Sequence, residues 1–237
     1  MTLNKLIALI PARQGSERVK DKNIKQLNGH PLIAYSICSA VDAGIFDKIL
    51  VSTDSKKYAD ISRHYGAEVP FLRTKKISRK FSPDYDWIRF TLDKLKKKYG
   101  QTYNIFFLLR PTSPLRTAKT ILRAWKEFQK FKDITSLRAV ELCSQHPGKM
   151  WKIVNKKIKP IMKGKIKNIP FNSSSYQSLP KIYIQNASLE ITKVKVIYNK
   201  KNKSITGNNI YPFKTRGYEG YDINKKIDLK ILQKNIL

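Results

Sequence analysis

Short apolar runs alternate along this chain with longer stretches of helical spacing. Leu6–Pro11 is an apolar run followed by a polar, glycine-containing loop, the pattern of a buried strand and its exit turn. Residues 31–43 carry apolar positions three and four apart, which predicts a helix. Lys48–Ser52 reads as a second strand, and it ends in Thr53-Asp54-Ser55, where Asp54 or Ser55 is placed to cap a helix over 56–65. Gly66 stops that helix, and 67–72 predicts a third short strand. A basic loop over 73–83 leads into a helix over Asp84–Tyr99. Next come the most hydrophobic strand at 104–109, its exit loop at 110–116, a helix over 117–130 and a strand over 134–140.

Strands separated by helices of this length imply right-handed crossover units and a doubly wound, mostly parallel α/β sheet covered on both faces. Such sheets bind ligands beyond the carboxyl ends of their strands, so the loops after Pro11, Ser52 and Leu109 are the informative places. Between about 142 and 180 the pattern weakens. Lysine-rich alternation at 151–161 and 163–169 predicts short exposed strands, and 172–178 is a serine-rich loop. Strand character returns at 187–197, and 223–237 closes the chain as a helix. The organisation expected is one domain over 1–237 that contains an excursion at 142–182.

Composition narrows the class. The chain has 237 residues, 41% of them hydrophobic, enough for one α/β domain with a sizeable core and unlike a disordered composition. No apolar stretch is long enough to cross a bilayer. Cys38 and Cys143 stand in unrelated contexts, with neither a disulfide framework nor metal-ligand spacing, which suits a reducing cytoplasm. Lys plus Arg number 48 against 17 Asp plus Glu, a formal charge of +31. The bland reading is a compositional bias towards Lys, Asn and Ile. The field still speeds encounter with any anionic ligand.

The loop after the first strand, residues 11–23, is neither a P-loop nor a dinucleotide fingerprint. It holds the small residues Gly15 and Ser16, which let backbone N–H groups approach a ligand, and the cations Arg13, Arg18, Lys20 and Lys22. Amides with fixed cations are the equipment for a triphosphate. Without further information a basic loop after a strand is more often a solvated turn. His30, His64 and His146 are isolated from any catalytic or metal spacing and read as surface or structural residues.

Four segments in register resemble the acylneuraminate cytidylyltransferases, the CMP-sialic acid synthetases. Pro11–Asn23 with Ile24 is similar to that family's opening Pro-Ala-Arg, Gly-Ser and Lys-Asn-Ile signature. Ser52-Thr53-Asp54-Ser55 resembles its second-strand exit, and residues 108–116 its Leu-Leu-Gln-Pro-Thr-Ser-Pro-Leu-Arg block. Gly220-Tyr221-Asp222-Ile223-Asn224 with Asp228 resembles its C-terminal Asp-Ile-Asp segment. The match spans essentially the whole chain. It implies a Rossmann-like, nucleotide-diphospho-sugar-transferase-like fold and a cytoplasmic enzyme. That enzyme would transfer CMP from CTP to an acidic nonulosonate of the sialic, legionaminic or pseudaminic type and release pyrophosphate. By the resemblance, Arg13, Gly15, Ser16, Lys22 and Asn23 sit on CTP, with Arg13 and Lys22 stabilising charge on the α-phosphate and departing pyrophosphate. Residues 82–86, Ser82 among them, lie against the base. Asp222, with Asn224, holds Mg²⁺ or Mn²⁺, hard cations that prefer oxygen ligands. Arg110, Thr112, Ser113, Gln185 and Asn186 face the sugar. The excursion resembles a dimer-forming segment, with Met150, Trp151 and Tyr183 as interface candidates, so a homodimer is expected.

Three departures stand out. Arg110 replaces the family's Gln; its planar fork of donors suits a carboxylate or an acyl group, and the alternative is an internal salt bridge. Asn224 stands where a second metal-binding Asp is usual, which leaves Asp228 or water as a further ligand. The Arg that the family places before Leu-Pro is absent from Tyr176–Pro180. Two other readings remain open: a basic nucleic-acid-binding protein, motivated by the charge but lacking any RRM, KH, helix-turn-helix or zinc-finger signature, and an inactive protein of the same fold.

Overall fold

The structure is a computed structural model that describes residues 4–16, 19–199 and 203–235. Six strands form the main sheet: β1 (Leu6–Pro11), β2 (Lys48–Ser52), β3 (Ile105–Leu108), β4 (Ser136–Leu142), β5 (Tyr183–Lys193) and β6 (Ile210–Lys214). Their order across the sheet is β6-β4-β5-β3-β1-β2. β1 runs parallel to both β2 and β3, in registers Leu9↔Leu50 and Leu9↔Leu108, whereas β5 pairs antiparallel with β3. The helices are α1 (Leu32–Ala43), α2 (Lys56–His64), α3 (Asp84–Tyr99), α4 (Ala118–Gln129) and α5 (Lys226–Asn235).

The two-residue period of a strand divides the core. Leu6, Ala8 and Ile10 of β1 join one apolar cluster with Ile33, Ile37 and Ala40 of α1, Tyr58 and Ala59 of α2, and Ile121, Ala124 and Phe128 of α4. Ile7 and Leu9 point the other way and join Trp87, Ile88, Leu92 and Leu95 of α3. Helices therefore cover both faces, the doubly wound arrangement expected, with β5 as the antiparallel exception. All five residues Leu6–Ile10 are buried, which explains why β1 reads as a continuous apolar run rather than an alternation.

Caps fix several ends. The Ser55 hydroxyl accepts from Tyr58 N–H at the start of α2, and the Thr117 hydroxyl accepts from Thr120 N–H at the start of α4. The expected third strand at 67–72 shrinks to an isolated bridge between Leu50 and Glu68, with Arg73 N–H returning to the Thr53 carbonyl. The segment crosses the sheet edge without continuing along it. β6 is an edge strand that the periodicity does not reveal, since Pro212 and Lys214 interrupt its apolar positions.

The chain divides into two compact units. The larger takes the described residues up to Ala139 and from Asn186 onward; the smaller is Val140–Gln185. The smaller unit contains an antiparallel hairpin, Trp151–Val154 against Lys157–Pro160, and a second two-residue pairing of Lys165–Ile166 with Ile169–Pro170. Asn155 and Lys156 both adopt positive φ at the hairpin turn. His146 is structural there: Nδ1 accepts from Gly148 N–H at 2.9 Å. No helix among the described residues is long and apolar enough to cross a membrane.

Candidate active site

A cavity of about 580 Å³ opens beyond the carboxyl ends of β1 and β3, where the sheet's winding reverses. Its wall includes Arg13, Ser16, Lys22 and Asn23 from the loop after β1, Lys80, Phe81, Ser82 and Asp84 around the start of α3, and Arg110 and Thr112 after β3. Arg13, Lys22, Lys80 and Arg110 face one carboxylate, Asp84, so the cavity suits an anion.

The loop after β1 is closed by its own bonds. Arg13 Nη1 donates to the Gly15 carbonyl at 3.2 Å, and Gly15 adopts a φ of 85°, which glycine supplies without strain. Gln14 N–H donates to Asp54 Oδ1 at 2.8 Å, and the Asn23 amide donates to the Arg13 carbonyl at 3.1 Å. Lys22 Nζ donates to the Ile223 carbonyl at 2.7 Å, and Ile223 N–H donates to the Thr112 carbonyl at 2.8 Å. Two ligand-wall loops are thereby tied to the residue that follows Asp222. Arg18, expected to add charge to the loop, lies outside the described residues.

Asp222 has one oxygen, Oδ2, paired with the Asn224 amide at 2.6 Å, while Oδ1 is buried with no donor. A buried carboxylate oxygen without a donor is unusual and fits a cation ligand. Asp228 does different work: Oδ2 accepts from the N–H groups of Asn224 and Lys225, each at 2.7 Å, and so caps the entry to α5. Among the described residues no three of His, Cys, Asp and Glu cluster as a metal cage. A carboxylate and an amide offer oxygen donors of the kind a hard divalent cation such as Mg²⁺ takes, so Asp222 and Asn224 fit the ion the resemblance implies.

Arg110 sits in ion pairs and also lines the cavity. Its Nη2 donates to Asp84 Oδ2 at 2.6 Å and to Glu190 Oε1 at 3.3 Å. The second oxygen of Glu190 accepts from Arg138 Nη2 at 2.5 Å, forming a chain of two acids and two arginines. Burial works to raise the Asp84 pKa, but the charge and hydrogen bond of Arg110, the Trp87 N–H and nearby Arg73 outweigh it, so the net shift is downward. Sequence reading missed Glu190 as a partner of Arg110 and Arg138 as the second partner of Glu190, because β4 and β5 bring Arg138 and Glu190 together from 52 residues apart.

Arg73 is a further residue the sequence does not flag. It is 7% exposed, its guanidinium stacks 4.2 Å above Trp87, and Nε donates to the Ser52 hydroxyl at 2.6 Å. Nη2 is buried without an acceptor, and burial pushes the group down to about 9. Ser82 lines the cavity while its hydroxyl bridges Lys76 O and Arg79 N within the basic loop. Ser113 is fully buried, with a hydroxyl that has no partner. Asn186 is not in the cavity wall; its amide donates to Thr215 Oγ1 at 2.9 Å, and Oδ1 accepts from Ser188 N–H. Gln185 belongs to the smaller unit and is exposed.

An open, doubly wound α/β sheet with a cationic cavity at its winding point defines a fold that binds anionic ligands at its strand ends. Two solved structures share that fold: CMP:2-keto-3-deoxy-manno-octonic acid synthetase complexed with CTP, at TM-score 0.70 and 14% identity, and 4-diphosphocytidyl-2C-methyl-D-erythritol synthase from Anaerococcus prevotii, at TM-score 0.61 and 11% identity. Each covers 97% of both chains. The chain belongs to the cytidylyltransferase family, whose sequence profile matches residues 7–206. A CMP-N,N'-diacetyllegionaminic acid synthase of Campylobacter jejuni is 30% identical over 96% of this chain and 93% of its own. A post-translational flagellin modification protein B of Campylobacter coli is 29% identical over 98% of this chain and 94% of its own. A CMP-N,N'-diacetyllegionaminic acid synthase of Legionella pneumophila is 43% identical over a match spanning 51% of each chain.

Proposed function

We propose that this cytidylyltransferase activates an acidic nonulosonate: the sugar's anomeric hydroxyl attacks the α-phosphorus of CTP, the new O–P bond forms, and pyrophosphate leaves. The observation that carries the reading is the joining of the loop after β1 to the Asp222 segment. Lys22 reaches the Ile223 carbonyl, and Arg13 and Lys22 share one cavity wall. That arrangement suits a triphosphate gripped by fixed cations opposite a metal-binding carboxylate.

Arg13 and Lys22 would offset charge on the α-phosphate and the departing pyrophosphate, while Gly15, Ser16 and Asn23 shape the phosphate seat. Asp222, helped by Asn224, would hold Mg²⁺, which when bound would offset phosphate charge. Ser82 would lie on the base side and Arg110, Thr112 and Ser113 on the sugar side, while Asn186, outside the cavity wall, would serve at most as a further sugar contact. No covalent nucleophile is needed, since phosphate chemistry of this kind rests on positioning and electrostatics. The named activities of the relatives favour legionaminic and related nonulosonic acids as the sugar class. The smaller unit is read as a dimer-forming excursion, and the protein as a cytoplasmic homodimer.

The test is a screen of the purified chain with CTP, Mg²⁺ and sialic, legionaminic, pseudaminic and 3-deoxy-octulosonic acids, scored by pyrophosphate release and by mass spectrometry. A CMP-linked nonulosonate is expected. Absence of release with every sugar and all four nucleoside triphosphates would overturn the assignment.

A further inference from the structure

We propose that α2 is the brace of the nucleotide loop, and that Tyr58 is a positioning residue which sets Lys22 and Asn23 through Asp21. The proposal rests on the reading of that loop as the phosphate seat.

The loop is anchored to the α2 region at both ends. Where it leaves β1, Gln14 N–H is held by Asp54, just ahead of the helix, at 2.8 Å. Where it returns, the Tyr58 hydroxyl on the first turn of α2 donates to Asp21 Oδ1, also at 2.8 Å. Asp21 stands directly before the short turn Lys22–Ile24 that carries both Lys22 and Asn23. It adopts a left-handed conformation, φ 53° and ψ 35°, which Asp tolerates better than most residues with a side chain. Its carbonyl accepts from Ile24 N–H at 3.0 Å, so Asp21 starts the turn as well as bracing it.

Tyr58 is built as a fixed strut. It is 1% exposed, and its ring belongs to the apolar cluster under α1 and β1. Its N–H is held by the Ser55 hydroxyl, and its carbonyl accepts from the Ser62 hydroxyl at 2.6 Å. Burial, then the Asp21 hydrogen bond and charge, raise the phenol's pKa far above its ordinary value, so the hydroxyl stays a donor at every working pH. The choice of partner is also informative. Asp21 lies between Lys20 and Lys22 in a chain with 48 basic and 17 acidic residues, yet its carboxylate is given to a buried phenol. An exposed Asp–Lys pair would leave the turn free to move; a strut from the core does not.

The test compares the intact wild-type chain with Tyr58→Phe, Asp21→Asn and Asp21→Ala. Steady-state kinetics give KM for CTP and for the sugar separately, calorimetry gives affinity for tripolyphosphate alone, and melting gives stability. Tyr58→Phe removes one oxygen and keeps the packed ring. It is expected to raise KM for CTP and weaken tripolyphosphate binding by about fivefold or more, with KM for the sugar changed less than about twofold. Asp21→Asn, which keeps an acceptor and tolerates the left-handed backbone, is expected to stay close to wild type, and Asp21→Ala to match or exceed the Tyr58→Phe defect. Unchanged tripolyphosphate affinity in Tyr58→Phe would overturn the brace, as would a loss in which both KM values move together with the melting temperature. A wild type that binds tripolyphosphate but turns over no sugar would leave the brace standing and sink the assigned reaction. A wild type that binds no polyphosphate would overturn the phosphate seat and the brace together.

Discussion

Arg116 is fully buried, and among the described residues no carboxylate pairs with it. Burial alone pushes its guanidinium down, to about 9, so it remains charged at neutral pH. Its compensation is a set of oxygens: the Ser188 carbonyl at 2.5 Å and the Ser36 hydroxyl at 2.6 Å, with the Arg110 carbonyl further out at 3.3 Å. Helix α1, strand β5 and the loop after β3 are thus pinned to one cation, which holds the Arg110 backbone while Asp84 and Glu190 hold its side chain. Arg116→Met would strip donors from several buried oxygens. We expect it to lower unfolding free energy by about 3 kcal/mol in urea titration, with the slope unchanged; a loss below about 1 kcal/mol would remove Arg116 from this role.

At the scale of elements, the hairpin of the smaller unit has two unlike sides. The facing pair Ile153 and Ile158 are 76% and 59% exposed, next to the half-exposed Trp151, while Lys152 and Lys159 pair on the other side. An apolar cross-strand pair left this open to solvent is a candidate interface between subunits. Ile153→Lys with Ile158→Lys should shift a dimer to monomer in sedimentation, without loss of secondary structure by circular dichroism. A wild type that sediments as a monomer would remove the excursion from the dimer proposal. The elements also show how far sequence reading reached. The bounds of α3 could be read in full, since Pro83 precedes it, Asp84 and Asp86 sit in its first turn and Gly100 ends it in a left-handed conformation. The strand expected at 67–72 was a misreading, because apolar content cannot tell a strand from a segment that touches the sheet edge once, at Glu68. β5 begins four residues earlier than its apolar pattern, since Tyr183–Gln185 are exposed and carry no periodic signal.

For the whole molecule, the cations of the loop after β1 were legible from residue types and the other cavity residues from the family resemblance, whereas contacts between distant strands were not legible. Arg13, Ser16, Lys22, Asn23, Ser82, Arg110 and Thr112 were named from the sequence and share the cavity wall. The joining of Lys22 to Ile223 spans 201 residues and leaves no local trace, and the Glu190–Arg138 contact needs the sheet order. The +31 charge reads differently once folded: at the cavity the cations are fixed in number and place, whereas most of the lysines lie on the surface. The account turns on a phosphate grip by Arg13 and Lys22 with the Asp222 carboxylate beside it. A crystal structure of the protein with CTP and Mg²⁺ measures that directly. Arg13 and Lys22 nitrogens within about 3 Å of phosphate oxygens, and an Asp222 oxygen at about 2.1 Å from the metal, are the distances expected. A triphosphate bound away from Arg13 and Lys22, or a metal held without Asp222, would contradict it.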